Sequence, residues 1–181
     1  FHHQHWDNLL AEATIDLYAD DPATAWSRVQ QTWKPLRKSL LLMIQLTRIE
    51  ALHLRGRVAL ALACRRIGDE RQRLLKEAQT MVRRLMREKM SWSTPLAALL
   101  DSGIRLARGD EAGARAALVE AARGFDAVDM ALWAACARYK LAPLLGDKGG
   151  RALAAAAADY FAAQSIAQPA RVVATLAPGH S

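Results

Sequence analysis

The chain is poor in the residues that build several classes of protein. Of its 181 residues only two are cysteine, Cys64 and Cys136, far apart in sequence. That excludes a disulfide scaffold, and two separated thiols fit a reducing compartment. Aromatic residues make up 6% of the chain, with three Tyr and three Phe, so one of the residue classes that favour strands is scarce. No apolar run reaches the roughly 18 residues that a membrane-crossing helix needs. The first residues lack the basic-then-apolar profile of a secretory leader. No membrane partner is therefore expected, and the expected location is cytoplasmic. The first residue is Phe, as expected of a processed product or a piece of a longer chain. Catalytic signatures are missing as well. There is no P-loop, no GxGxxG after a strand, no kinase catalytic loop, no HExxH and no CxxC. No catalytic residue, cofactor or metal site is expected of these residues.

What is present points one way. About a fifth of the residues are Ala, the best helix former, and 52% of the chain is hydrophobic. The length suits one domain, residues 1–181. Three corners share a form: Gly68-Asp69-Glu70, Gly109-Asp110-Glu111 and Gly146-Asp147-Lys148. Gly ends a helix in the left-handed conformation, and Asp caps the free amides of the next. Asp20-Asp21-Pro22 plays the same part, with Pro at the first helical position. The corners recur about 48, 41 and 37 residues apart, near the period of helical hairpins. The predicted helices span 4–19, 22–33, 39–66, 70–88, 94–108, 110–125, 129–145, 148–164 and 168–177, with Ser39 capping the third. In the fourth, Leu74, Leu75, Ala78, Met81, Val82, Leu85 and Met86 form one stripe at helical spacing. The fold expected is all-α, a degenerate solenoid of helical hairpins with about nine helices.

Two clusters invite a chemical reading. Phe1-His2-His3-Gln4-His5-Trp6 carries three imidazoles that could ligate Zn²⁺ or Ni²⁺, but a fixed site needs further rigid ligands. The plainer reading is the start of the first helix. Residues 65–89 hold nine Lys or Arg against four acids. Arg73, Lys76, Arg83, Arg84 and Arg87 make this a basic surface able to track phosphates. It lacks the interleaved aromatics that stack bases, and Glu70, Glu77 and Glu88 sit where local ion pairs form. The net charge of +7 is uneven: −4 over residues 1–31, +10 over 32–89 and +1 over 90–181. An acidic first unit beside a basic second one suggests electrostatic packing or head-to-tail contact, with a solvated surface as the plainer reading. Trp6, Trp26, Trp33, Trp92 and Trp133 read as packing anchors between hairpins. The two cysteines read as buried thiols.

The corners and the small-large alternation resemble tetratricopeptide repeats, without the strict 34-residue consensus. Longer stretches are more specific: Leu17-Tyr18-Ala19-Asp20-Asp21 with Ala25-Trp26 and Trp33, then Ser39-Leu40-Leu41-Leu42 and Gln45. Arg48-Ile49-Glu50-Ala51-Leu52, Arg57-Val58-Ala59-Leu60-Ala61 and the ending from Gln164 through Pro169 to Gly179 continue the pattern. Together they resemble the C-terminal helical-repeat region of large multidomain bacterial serine/threonine protein kinases of the myxobacterial type. The resemblance implies an upstream kinase domain, often with an ATPase-like module, and a regulatory or protein-binding role for the repeats. It carries over no catalytic residue.

The function expected is thus a non-catalytic interaction module that binds a protein partner or its own upstream kinase or ATPase-like module. Polar residues on the first helix of each hairpin are the expected contacts: Gln45, Arg48, Arg55, Asp101, Arg105 and Arg138. A homodimer through an exposed terminal unit is a further expectation. The alternative is a nucleic-acid-binding module using the basic helix around 65–89.

Overall fold

The computed structural model describes residues 2–146 and 148–179. Among these residues the chain forms nine α-helices and no strand, so the protein is all-α. The helices are α1 (His3–Tyr18), α2 (Pro22–Lys38), α3 (Gln45–Ala63), α4 (Gly68–Arg87), α5 (Ser93–Ala107), α6 (Glu111–Asp126), α7 (Ala131–Leu145), α8 (Lys148–Ala163) and α9 (Pro169–Leu176). A 3₁₀ turn, Leu40–Met43, separates α2 from α3.

One left-handed residue turns the chain at almost every corner. Asp20, Gly68, Gly109 and Gly146 adopt it at the corners anticipated from the sequence, and Lys89, Asp129 and Ser165 adopt it at the links between them. From Gly68 to Ser165 these residues fall 17 to 21 positions apart, so each helix and its turn form one unit of nearly constant length. Asp21 and Asp110 then cap as expected, accepting from Thr24 N at 3.0 Å and Gly113 N at 2.8 Å. Asp69 does not: α4 starts without a side-chain cap, and Asp69 and Glu70 in its first turn act on the helix dipole instead. The expected cap at Asp147 lies outside the described residues.

Two expected helix spans need correction. The second helix runs past Trp33 and through Pro35 to Lys38. Pro35 is exposed and near the helix end, where the lost hydrogen bond faces water. The third helix does not run from 39 to 66. Ser39 caps the 3₁₀ turn, accepting from Leu41 N at 3.3 Å, and α3 begins after an extended Ile44. A run of five apolar residues, Leu40 to Ile44, cannot place all its members on one helical stripe.

Successive helices pack side by side through short turns, and the odd-numbered ones also meet one another: α1 touches α3, and α3 touches α5. The odd-numbered helices therefore form one layer and α2, α4, α6 and α8 the other. Helices α3, α5 and α7 are buried on most sides because both layers press on them. Close approach is bought with small side chains. A Cβ on Gly56 of α3 would run into Leu100 of α5 and Met81 of α4.

The chain end closes back on the odd-numbered layer. Helix α9 packs on α1 and α7, with Val173, Thr175 and Ala177 buried. The tail then crosses α5, where Gly179 and the Pro178 carbonyl lie directly over Gly103. A methyl group on Gly103 would meet the Pro178 carbonyl oxygen and the Leu60 side chain. Gly103→Ala is therefore expected to cost about 1–3 kcal/mol and to lift the tail. Thermal melting reads the first effect, and limited proteolysis near residue 178 reads the second.

Candidate functional site

Helix α3 carries most of the polar chemistry, and its neighbours decide what each side chain does. Arg55 leaves α3 between the rings of Trp26 and Trp33, 5.1 and 4.3 Å from their centres. Its Nε donates to Glu77 of α4 at 2.5 Å. This clamp ties α2, α3 and α4 together, with cation–π attraction from two rings to one guanidinium. Arg48, two turns earlier, donates through Nε and Nη2 to Glu88 at 2.7 Å each, and through Nη1 to the Leu42 carbonyl at 2.7 Å. Gln45 donates to the Glu88 carbonyl at 3.0 Å. The Arg48 fork holds the Glu88 carboxyl below its ordinary 4.5.

The other expected contacts are equally occupied. Asp101 accepts from Arg105 at 2.5 Å and from Gln79 at 3.2 Å, and Arg105 also reaches Asp110 at 2.9 Å. Arg138 of α7 donates to Asp126 of α6 at 2.5 Å. Gln45, Arg48, Arg55, Asp101, Arg105 and Arg138 are the residues expected to contact a partner. Their bonds, however, run within the chain rather than outward. Hairpin helices this close leave charged side chains within reach of the next helix, and the nearest carboxylate takes them.

The basic surface behaves differently. Arg73, Lys76, Arg83 and Arg87 lie exposed along one face of α4, and none has an ion-pair partner within 4.0 Å among the described residues. Arg84 is half-buried, and burial together with nearby Arg37 lowers its pKa. The acidic first unit is largely paired. Arg28 takes Asp16 and Glu12 at 2.7 Å each, and Arg65 of the second unit takes Asp20 at 2.5 Å. The Arg28 pairs lie within the first unit, and among the described residues the two units are joined by the exposed Arg65–Asp20 pair and a Trp6 Nε1 bond to Glu50 at 3.3 Å.

The His cluster is spent locally. His5 Nδ1 accepts from His2 N at 3.0 Å, and His3 pairs with Asp7 at 2.9 Å. Phe1 lies outside the described residues. Among those described, no three His, Cys, Asp or Glu side chains gather as metal ligands, and no helix is long and apolar enough to cross a membrane.

The face of the odd-numbered layer holds the most perturbed groups. His53 is buried edge-on to Trp133 with 5.2 Å between ring centres, and desolvation with help from Arg57 depresses its pKa well below 6.5. Arg57 reaches Thr14 of α1 at 3.3 Å while its Nε finds no partner, and burial lowers it to about 10. Lys140 of α7, close to Cys64 and Cys136, is lowered by burial to about 8, and the Cys136 thiol is pushed up to about 12. Such a thiol is inert at neutral pH. Lys140, Cys64 and Gly179 line two adjoining clefts beside the tail, one shared with Leu17 and Arg65, the other with Arg71 and Tyr139.

A second feature escaped the sequence reading. Leu40, Met43, Ile44 and Leu46, expected within one helix over 39–66, stand exposed, and so does Met86, expected in the apolar stripe of the fourth helix, where it follows the buried Leu85 at the helix end. The unbroken apolar run after Pro35 and Ser39 was the available signal.

Set against known proteins, the chain matches no family model, no curated protein and no solved structure.

Buried His53 makes stability pH-dependent. The unfolded chain takes up a proton near 6.5 that folded His53 refuses, so stability is lost as pH falls below that value. His53→Phe is expected to flatten this acid limb, read as the melting temperature from neutral to mildly acid pH.

Proposed function

We propose that the chain is a non-catalytic interaction module, a degenerate tetratricopeptide-like stack of hairpins that receives an amphipathic helix from a protein partner. The observation that carries this reading is the seat of α9. A helix of eight residues lies against α1 and α7 with Val173 buried and Pro169 and Leu176, four residues before it and three after, partly buried. Short apolar stripes of this kind are what helix-receiving faces recognise. The clefts flanking the tail are lined by Lys140, Arg65 and Arg71, with Asp20 already paired to Arg65 in one of them. Gln45, Arg48, Arg55, Asp101, Arg105 and Arg138 serve this face by fixing the helices that form it.

The resemblance to bacterial serine/threonine kinases extends the reading. In a parent chain with a cytoplasmic kinase or ATPase-like module, that module supplies the partner helix, and the repeats regulate it. Exchange of α9 between the face and a partner would then couple binding to output.

The test uses the full chain. Val173→Asp unseats α9, and a labelled peptide spanning residues 165–179 should bind that variant about tenfold more tightly than the wild-type chain, whose own α9 competes. Fluorescence anisotropy measures both. Equal affinity, or no binding to either chain, counts against a helix-receiving face.

The stripe of Arg73, Lys76, Arg83 and Arg87 supports a second reading, nucleic-acid binding along α4. It requires a mobility shift of duplex DNA at low salt that the Arg73→Glu/Arg83→Glu variant abolishes. Absence of any shift removes it.

A further inference from the structure

At the end of the molecule where α2 and α4 finish, apolar side chains project into solvent. Leu40 is 82% exposed and Met43 78%, and Ile44, Leu46 and Met86 are about half exposed. The 3₁₀ turn and the end of α4 are separate in sequence but joined in space. Gln45 donates to the Glu88 carbonyl, and Arg48 bridges the Glu88 carboxylate and the Leu42 carbonyl. The loop is therefore held out by a fixed strut, with Met86 and Met90 on the other side of Glu88.

Cations surround this patch. Lys34, Arg37 and Lys38 are exposed on the last turns of α2, immediately before Leu40. Arg87 and Lys89 are exposed beside Met86 and Met90, and Arg84 lies close enough to Arg37 for each to oppose the other's charge. None of Lys34, Arg37, Lys38, Arg87 and Lys89 has an ion-pair partner among the described residues. The acid at the centre, Glu88, is neutralised by the Arg48 fork. What the end presents is apolar and positive.

We propose that this end docks peripherally on an anionic lipid surface. The Leu40–Leu46 loop enters the boundary between headgroups and acyl chains, and the surrounding Lys and Arg gather anionic headgroups. Three observations select this occupant. Leu40, at the edge of a shallow cleft with Pro35 and Lys38, and Met43 project from a turn with most of their surface in solvent, so they suit a phase that deforms around them. The cations are spread around the loop with no fixed carboxylate geometry, which suits a diffuse negative surface. A second copy of the chain is a poor occupant, since each copy carries +7 and its first-unit acids Glu12, Asp16 and Asp20 are already paired. Docking of this kind needs no membrane-crossing helix, and it uses none of the residues that seat α9, so the two proposals stand or fall separately.

Co-sedimentation with vesicles tests it. The full chain should pellet with phosphatidylcholine vesicles containing about 30% phosphatidylglycerol, stay in the supernatant with phosphatidylcholine alone, and be released by high salt. Leu40→Asp/Met43→Asp and, separately, Arg37→Glu/Arg87→Glu should each lower the apparent partition coefficient at least about tenfold. Leu40→Ser/Met43→Ser guards against an effect of the new charges, and Arg73→Glu, farther along α4, should change binding less than twofold by the same logic. All substituted side chains are exposed, and unchanged melting curves confirm the fold. Failure to pellet with the anionic vesicles overturns the proposal and leaves the patch to an acidic protein. So does binding that survives both Leu40/Met43 variants, which would reduce it to adsorption by charge alone.

Discussion

Helix α3 is the wall shared by two hydrophobic cores, and the other helices are arranged by that sharing. Ala51, Leu54 and Val58 on one side pack with Trp6, Leu9, Leu17 and Val29 of α1 and α2. Ile49, Leu52, Leu60 and Ala63 on the other side join the larger core that runs from α4 to α9. A helix buried on opposite faces cannot keep a polar stripe of its own. Its charged residues must leave sideways and find partners on neighbours, which is why Arg48 and Arg55 end in carboxylates of α4 and Arg57 reaches α1. A buried guanidinium or carboxylate without a partner is far costlier than either the Arg48 or the Arg55 pair.

The same constraint produces both candidate surfaces. Helices α3, α5 and α7 are packed by the even-numbered helices on one side, and on the other α9 lies against α7 while the tail crosses α5. Because α3 starts only at Gln45, the run Leu40 to Ile44 lies between helices, where Leu41 and Leu42 pack on the first core and Leu40, Met43 and Ile44 are left exposed. The strut from Arg48 to Glu88 ties that run to the end of α4 and pairs the Glu88 carboxylate.

The helices and corners were legible in the sequence because they depend on local chemistry. Gly68, Gly109 and Gly146 announced left-handed turns, and Asp21 and Asp110 announced caps. The turns at Lys89 and Ser165 were silent, since Lys and Ser seldom adopt positive φ and do so here only because the flanking helices are held by packing. Pro35 read as a boundary, yet tertiary contacts of Leu36, fully buried, carry the helix through it. Among the site residues, the sequence identified Gln45, Arg48, Arg55, Asp101, Arg105 and Arg138 as polar members of hairpin helices. It could not say which way they point, because a side chain on a helix meets its inter-helix partner 12 to 43 residues away.

Composition and spacing alone determined an all-helical chain with corners at regular intervals. They sufficed because helix propensity, caps and left-handed glycines act within a few residues. Only the tertiary structure decided that α9 folds back over the odd-numbered layer, that six polar residues are spent on holding helices together, and that the apolar loop after Ser39 is left exposed. Those outcomes depend on which surfaces compete for burial once the helices meet, a balance no single segment contains.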